Sequence, residues 1–167
     1  SGTALRRAGN ESQGGHEDRR LPRASVRRVS ARHKARKRAV DILFSADINE
    51  QPLEEALLAA QARAQSEPER SSSWDYAQMI VGGMIAHGES VDQLLRDTSQ
   101  SWPLERMPTV DRAVLRVATW EILHNPDIPT AVAIAEAVEL VNELSTEASS
   151  GFVHGILAAI AATSERA

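Results

Sequence analysis

WPLERMPTVDRAVLRVATWEILHNPDIPTAVAIAEAVELVNELSTEASSGFVHGIL, residues 102–157, is the stretch whose reading decides the fold. Within it Val110, Ala113, Val114, Val117 and Ala118 recur at i, i+3, i+4, i+7 and i+8, the spacing that gathers side chains on one face of an α-helix. Leu115, Trp120, Ile122 and Leu123 widen the apolar surface and leave Arg112, Arg116 and Thr119 as a narrow polar strip. A helix apolar on so many sides is expected to be surrounded by others. Pro108 disfavours helix at Met107, Thr109 is placed to cap the first turn, and Asp111 favours the positive end of the helix dipole. His124, Asn125 and Pro126 end the segment.

Past the turn Asp127-Ile128-Pro129, a second helix runs from about Thr130 to Leu144, with Glu136, Glu139 and Glu143 expected as one solvated stripe. A third opens near Ser149 and turns Phe152, Val153, Ile156, Leu157 and Ile160 toward a core. Its small residues Gly151, Gly155 and Ala159 stand four apart, a strip on which another backbone can come close.

Upstream, helical pattern begins at Ala31. Ala35, Ala39, Ile42, Leu43 and Ala46 form the buried stripe, with Arg32, Arg36, Val40 and Phe44 along its flank. Pro52 is expected as the first residue of a helix reaching about Gln65, with Leu53, Ala56, Leu57 and Ala60 inward. After the polar loop 66–73, Ser73 can cap a helix whose Trp74, Ala77, Val81 and Met84 share a face. Gly82 and Gly83 weaken its middle, Gly88 breaks or bends it, and Val91, Leu94 and Leu95 continue as a short helix. No alternating strand pattern occurs. The expected fold is all-α: a compact bundle of about six or seven helices over residues 31–167. Residues 1–30, rich in Arg, Gly, Ser, Glu and Pro without apolar period, are expected to be a disordered basic N-terminal extension.

Composition narrows the function. The 167 residues are 42% hydrophobic, enough for one domain with a real core, and hold no cysteine. That removes disulfides, thiolate metal sites and a cysteine nucleophile, and fits a reducing cytoplasm. No apolar run is long enough to span a bilayer, so no membrane partner is expected. The net charge of −4 hides an asymmetry. Residues 1–38 hold 12 of the 19 Lys and Arg against 3 of the 23 Asp and Glu, a balance of +9, whereas residues 39–167 hold 7 against 20, a balance of −13. Contact with a polyanion is therefore expected near the N-terminal region, the alternative being a basic tail that aids solubility or folds back on the acidic body.

No motif for catalysis, metal or cofactor emerges. A phosphate-binding glycine loop, a G-x-S-x-G elbow and paired histidines at ligand spacing are all missing from the sequence. Asp111 and Glu121 lie ten residues apart on one helix, about 15 Å along its axis, too far for paired acid–base work on one bond. Glu121 is read as an ion-pair or capping residue. RNA binding has positive support: Arg32, His33, Lys34, Arg36, Lys37 and Arg38 can meet phosphates, and Phe44 and Phe152 can either stack on unpaired bases or fill the core they border.

The runs WPLERMPTVDRAVLRVATWEIL, DIPTAVAIAEAVELV and FVHGIL, with RHKARKRAVDILF at residues 32–44, closely resemble the NusB family of bacterial transcription antitermination factors. The resemblance covers most of the chain after residue 31. It implies binding to the boxA element of ribosomal RNA leader transcripts together with NusE, the tenth small-subunit ribosomal protein, in an assembly on RNA polymerase. It further implies that Arg32, His33, Lys34, Arg36 and Phe152 face RNA, while Phe44, Arg106 and Asp111 lie near the NusE surface. Two features depart from the family pattern. Residues 148–151 are Ala-Ser-Ser-Gly where many relatives carry acidic, histidine or lysine residues, and the basic extension is long.

The principal expectation is thus a cytoplasmic, non-enzymatic RNA-binding factor. An alternative is the NusB-like domain of a ribosomal RNA cytosine methyltransferase, which would need a further α/β domain with a catalytic cysteine. A third is a helical scaffold that only dimerises or holds a protein partner; the oligomeric state, including a homodimer, stays open.

Overall fold

Proline sets where four of the helical segments begin. Pro52, Pro103, Pro108 and Pro129 each stand immediately before a helical segment, with φ between −52° and −59° and ψ of 138–139°. The ring fixes φ, and each proline carbonyl accepts a backbone N–H of the first turn: Ala56, Arg106, Arg112 and Ala133 donate at 2.9–3.2 Å. The computed structural model describes residues 23–67 and 71–165, and among these the elements are six α-helices and one 3₁₀ turn. They are α1 (Arg23–Ile48), α2 (Leu53–Gln65), α3 (Ser71–Thr98), the turn Leu104–Arg106, α4 (Thr109–His124), α5 (Thr130–Leu144) and α6 (Glu147–Glu165). None of these helices is long and apolar enough to cross a membrane.

The all-α bundle is as expected, with local corrections. Helix α1 starts at Arg23, so residues 23–30, assigned to the extension, are helical. They contain neither Gly nor Pro and prolong a helix already nucleated by the packed residues after Ala31. The expected disorder of residues 1–22 lies outside the described residues. Helix α3 runs unbroken through Gly82, Gly83 and Gly88, because its packing outweighs the weak helix propensity of glycine. Ser73 and Thr109 are inside their helices rather than caps, and Pro108 occupies the N-cap position of α4 without a side-chain bond.

Helix α4 is the centre. α1, α3, α5 and α6 all pack against it, α1 also packs against α3 and α5 against α6, while α2 lies against α1 and α3. Ala113, Val114, Leu115, Val117 and Ala118 are all buried, as are Trp120 and Thr119; the polar strip foreseen for Thr119 is instead enclosed on every side. The buried faces of α1 (Ala39, Leu43), α3 (Ile80, Leu95), α5 (Leu140, Val141) and α6 (Val153, Leu157) join α4 in one core. Removal of this much apolar surface from water is the main favourable term in folding. Gly151 and Gly155 on α6 are exposed, and a methyl at either would meet nothing; the small strip therefore receives no neighbouring backbone among the described residues.

Gly83 has a different reason to be small. A Cβ there would collide with the indole of Trp120, which is 5% exposed and has no room to retreat. The contact lets α3 and α4 approach closely, and it leaves the Trp120 Nε1–H facing helix backbone without a hydrogen-bond acceptor among the described residues. Gly83→Ala is expected to destabilise the chain by about 1–3 kcal/mol through overpacking, whereas Gly82→Ala, with open space at Cβ, should be neutral or stabilising. Paired denaturant titrations check this; equal effects at both positions would place the constraint elsewhere.

Candidate nucleic-acid interface

The basic block of α1 is divided by helical geometry between interior and surface. Arg36 points inward and is 3% exposed. Its Nε donates to both oxygens of Glu121 at 2.9 and 3.1 Å, and its Nη2 adds a bond of 3.0 Å. Glu121, 1% exposed on α4, also accepts from Tyr76 Oη at 2.5 Å, and Asn125 Nδ2 donates to that hydroxyl at 3.2 Å. Burial opposes the charge on Arg36, yet the bonds and charge of Glu121 prevail and raise its pKa. Burial also pushes the Tyr76 hydroxyl well above its usual range, with the neighbouring Glu121 carboxylate reinforcing the effect. Glu121 is therefore the ion-pair residue foreseen, and Arg36 is its partner. The expectation that Arg36 faces RNA is corrected, because its donors are spent inside the core.

One turn earlier, Arg32 is half-buried with its guanidinium carbon 5.1 Å from the Tyr76 ring centroid, a cation–π arrangement that holds the long side chain against α3. Lys34 is exposed and has no ion-pair partner among the described residues. His33 and Lys37 face α5. His33 Nδ1 lies 2.9 Å from Glu136, its Nε2 lies 2.9 Å from Glu143, and Lys37 Nζ lies 3.3 Å from Glu143. The acidic stripe of α5 is thus a partner of the basic helix as well as a solvated face, which corrects its expected role. Burial of His33 works against its charged form, but the bonds and charges of Glu136 and Glu143 outweigh it and hold its pKa above 6.5. Slight burial favours protonated Glu143, whereas His33 and Lys37 hold its pKa below 4.5.

The aromatic and partner-facing candidates separate similarly. Phe152 on α6 is half-buried, with its ring centroid 4.8 Å from that of Trp102 and tilted by 55°. Phe44 is half-buried near the C-terminal end of α1, and Arg106 is exposed on the 3₁₀ turn. Arg112 ties these two regions together, donating to Asp47 at 3.1 Å and to the Leu104 carbonyl at 3.3 Å. Arg116 completes the network through Asp47 at 2.8 Å and Asp92 at 2.8 and 2.9 Å. Asp111, by contrast, is fully buried and accepts from Ser149 Oγ at 2.6 Å, so its expected place at a partner surface is corrected: it fastens the start of α6 to α4.

Sequence spacing missed two features. The α1–α5 clamp joins residues more than a hundred positions apart. The exposed rings of His87 and His124, read as scattered histidines, stack at 3.9 Å with 13° between planes. Burial lowers the His124 pKa, and the charge of His87 adds to the shift.

A model of the NusB family matches residues 33–162. The chain is 51% identical over 135 residues to the transcription antitermination protein NusB of Clavibacter michiganensis subsp. michiganensis, covering 81% of this chain and 98% of that protein. It is likewise 51% identical over 138 residues to the transcription antitermination protein NusB of Leifsonia xyli subsp. xyli, covering 83% and 96%. Among solved structures, NusB of T. maritima superimposes with a TM-score of 0.64 at 31% identity, covering 78% of this chain and 89% of that one. A structure of antitermination factors NusB and NusE in complex with dsRNA shares the fold, with a TM-score of 0.69 at 22% identity and coverage of 80% and 98%.

Removing one member of the buried pair leaves the other charged and unmatched. Glu121→Leu is expected to cost about 3–5 kcal/mol, and the double change Arg36→Met with Glu121→Leu to cost less than Glu121→Leu alone. Denaturant titration of the single and double variants measures the difference, and a double variant weaker than the single would overturn it. The surface clamp has a pH signature. Because the His33 pKa is raised in the folded chain, its stabilisation is complete below its unfolded value and lost as pH rises through the folded one; the lowered pKa of Glu143 removes it again under acid. Melting temperatures of the chain and of His33→Gln, followed from about pH 5 to about pH 9, should converge toward the alkaline end. A gap that widens with pH would exclude the clamp.

Proposed function

The chain belongs to the NusB family, and from that premise we propose that it is a transcription antitermination factor that binds boxA RNA together with the ribosomal protein NusE. The observation that carries this reading is the division of labour within α1. Arg36 is committed to Glu121, and His33 and Lys37 to the acids of α5, which leaves Arg32, half-buried over the Tyr76 ring, and Lys34, exposed, as the cations of residues 32–37 without a carboxylate partner among the described residues. Phosphate contacts by side-chain cations combined with stacking on a partly exposed ring suit single-stranded RNA. Arg32 and Lys34 supply the first, and Phe152, half-buried beside Trp102, supplies the second. His33 contributes to the shape and charge of this surface through its bonds to α5.

The NusE surface is proposed at the other end of α1, around Phe44 and Arg106, where the Asp47–Arg112 bridge fixes the last turn of α1 against the 3₁₀ turn. Asp111 is buried and joins the start of α4 to the start of α6 through Ser149. The pair then joins RNA polymerase in the cytoplasm, and the protein carries out no chemistry of its own. That a protein of this fold has been solved in complex with NusE and dsRNA supports RNA and NusE as the partners. The cytosine methyltransferase reading is not favoured: the antitermination proteins matched over nearly their whole length carry no such name.

Binding to boxA RNA, with and without NusE and against a scrambled RNA, tests the proposal; equal affinity for the two RNAs would overturn it. Each phosphate neutralised on a single strand contributes about −0.7 to the slope of log K against log salt, so replacing Arg32 and Lys34 by Ala together should remove up to about 1.4 units. Phe152→Ala is expected to weaken RNA binding by about 1–3 kcal/mol in the folded fraction. Melting temperature and affinity measured on the same sample assign the ring: unchanged affinity with a large loss of stability would give Phe152 to the core.

A further inference from the structure

His33, Glu139 and Glu143 each present a ligand atom, and the three atoms lie within 4.8 Å of one another. Glu139 and Glu143 stand one helical turn apart on α5, so both carboxylates project from the same face. Both are exposed, and rotation of their side chains can draw the oxygens to the roughly 2.0–2.2 Å that a small divalent ion requires. The imidazole needs no search. Glu136, 13% exposed, lies 2.9 Å from Nδ1, so a proton on Nδ1 is held by this carboxylate and Nε2 is aimed at Glu143, 2.9 Å away. A histidine whose second nitrogen donates to a carboxylate is the arrangement that orients metal-ligating imidazoles and raises their basicity.

We infer that His33 Nε2, Glu139 and Glu143 form a binding site for a divalent transition-metal ion of the Zn²⁺ class, with Glu136 as the residue that positions the imidazole. One nitrogen and two carboxylates suit Zn²⁺ better than Mg²⁺ or Ca²⁺, which favour all-oxygen shells. Two cations compete with the ion. One is the second proton of His33, which occupies the Nε2 position when the ring is charged; the other is Lys37, whose Nζ lies 3.3 Å from Glu143. Arg36, with Nη1 3.7 Å from Glu136, holds that carboxylate beside the ring without approaching the ligands. Lys37 meets Oε2 of Glu143 while His33 meets Oε1, so Lys37 competes with the ion through its charge. The site stands apart from the RNA reading, since it is measured on the protein alone.

The test is isothermal titration of the full chain with ZnCl₂ in a background where His16, His87, His124 and His154 are replaced by Gln. His33 is then the one imidazole left, and the stacked pair His87–His124 cannot contribute. One saturable site is expected. His33→Gln and Glu139→Gln should each weaken it by about tenfold or more, Glu136→Gln by about 10- to 100-fold, and Lys37→Gln should strengthen it. Glu139 makes no ion pair among the described residues, so its replacement reads ligation without a loss of folding. The absorption spectrum of the Co²⁺ form should shift on loading and lose that shift in Glu139→Gln. Absence of saturable Zn²⁺ binding, or affinity unchanged by His33→Gln and Glu139→Gln, would overturn the site.

Discussion

The pair formed by Arg36 and Glu121 is the constraint on which the rest of this structure depends. Two charges removed from water are tolerable only if each is matched and their remaining donors and acceptors are occupied. Here Arg36 comes from α1, Glu121 from α4, Tyr76 from α3, and Asn125 from the turn after α4. Glu136 of α5 lies within 3.7 Å of Arg36 on the solvent side. A shift of α1 or α4 along its axis would part the two buried charges, and a shift of α3 would take the Tyr76 hydroxyl from Glu121, so the polar cluster ties the registers of these three helices together.

That register determines the basic surface. With Arg36 anchored inward, the 100° step of the helix sends Arg32 over the Tyr76 ring, His33 and Lys37 toward α5, and Lys34 into solvent. The acidic stripe of α5 neutralises part of what composition alone counts as available positive charge. The RNA-binding face proposed on α1 therefore has fewer free cations than its sequence suggests. The same α1–α5 contact gathers one imidazole and three carboxylates, which gives this edge of the bundle a chemistry that neither helix has alone.

Close packing and polar fastening divide the remaining work. Gly83 admits the indole of Trp120 between α3 and α4, while Arg112 and Arg116 join α1, α3 and α4 through Asp47 and Asp92. Ser149 and Asp111 fasten the start of α6. Phe152 therefore projects from a helix held at its N-terminal end, against Trp102, in a half-buried setting that bounds how far the ring can move.

The sequence by itself determined the helices and their inward faces. Val110 to Leu123, Thr130 to Leu144 and the segment after Ser149 were legible because helical periodicity is local: residues three and four apart must share a face whatever surrounds them. The family motifs were legible for the same reason, as runs of neighbouring residues. Only the tertiary structure decided what the polar side chains do. Arg36 and Arg32 have the same charge and sit one turn apart, yet one is buried against a carboxylate 85 positions away and the other rests on an aromatic ring. Gly83 and Gly82 are adjacent, and only one faces an indole. Asp111 looked like a surface acid at a helix start and lies beneath Ser149. Helix formation is governed by the chain's nearest neighbours, whereas the fate of a charge depends on which distant group arrives to meet it, and that is settled only when the helices pack.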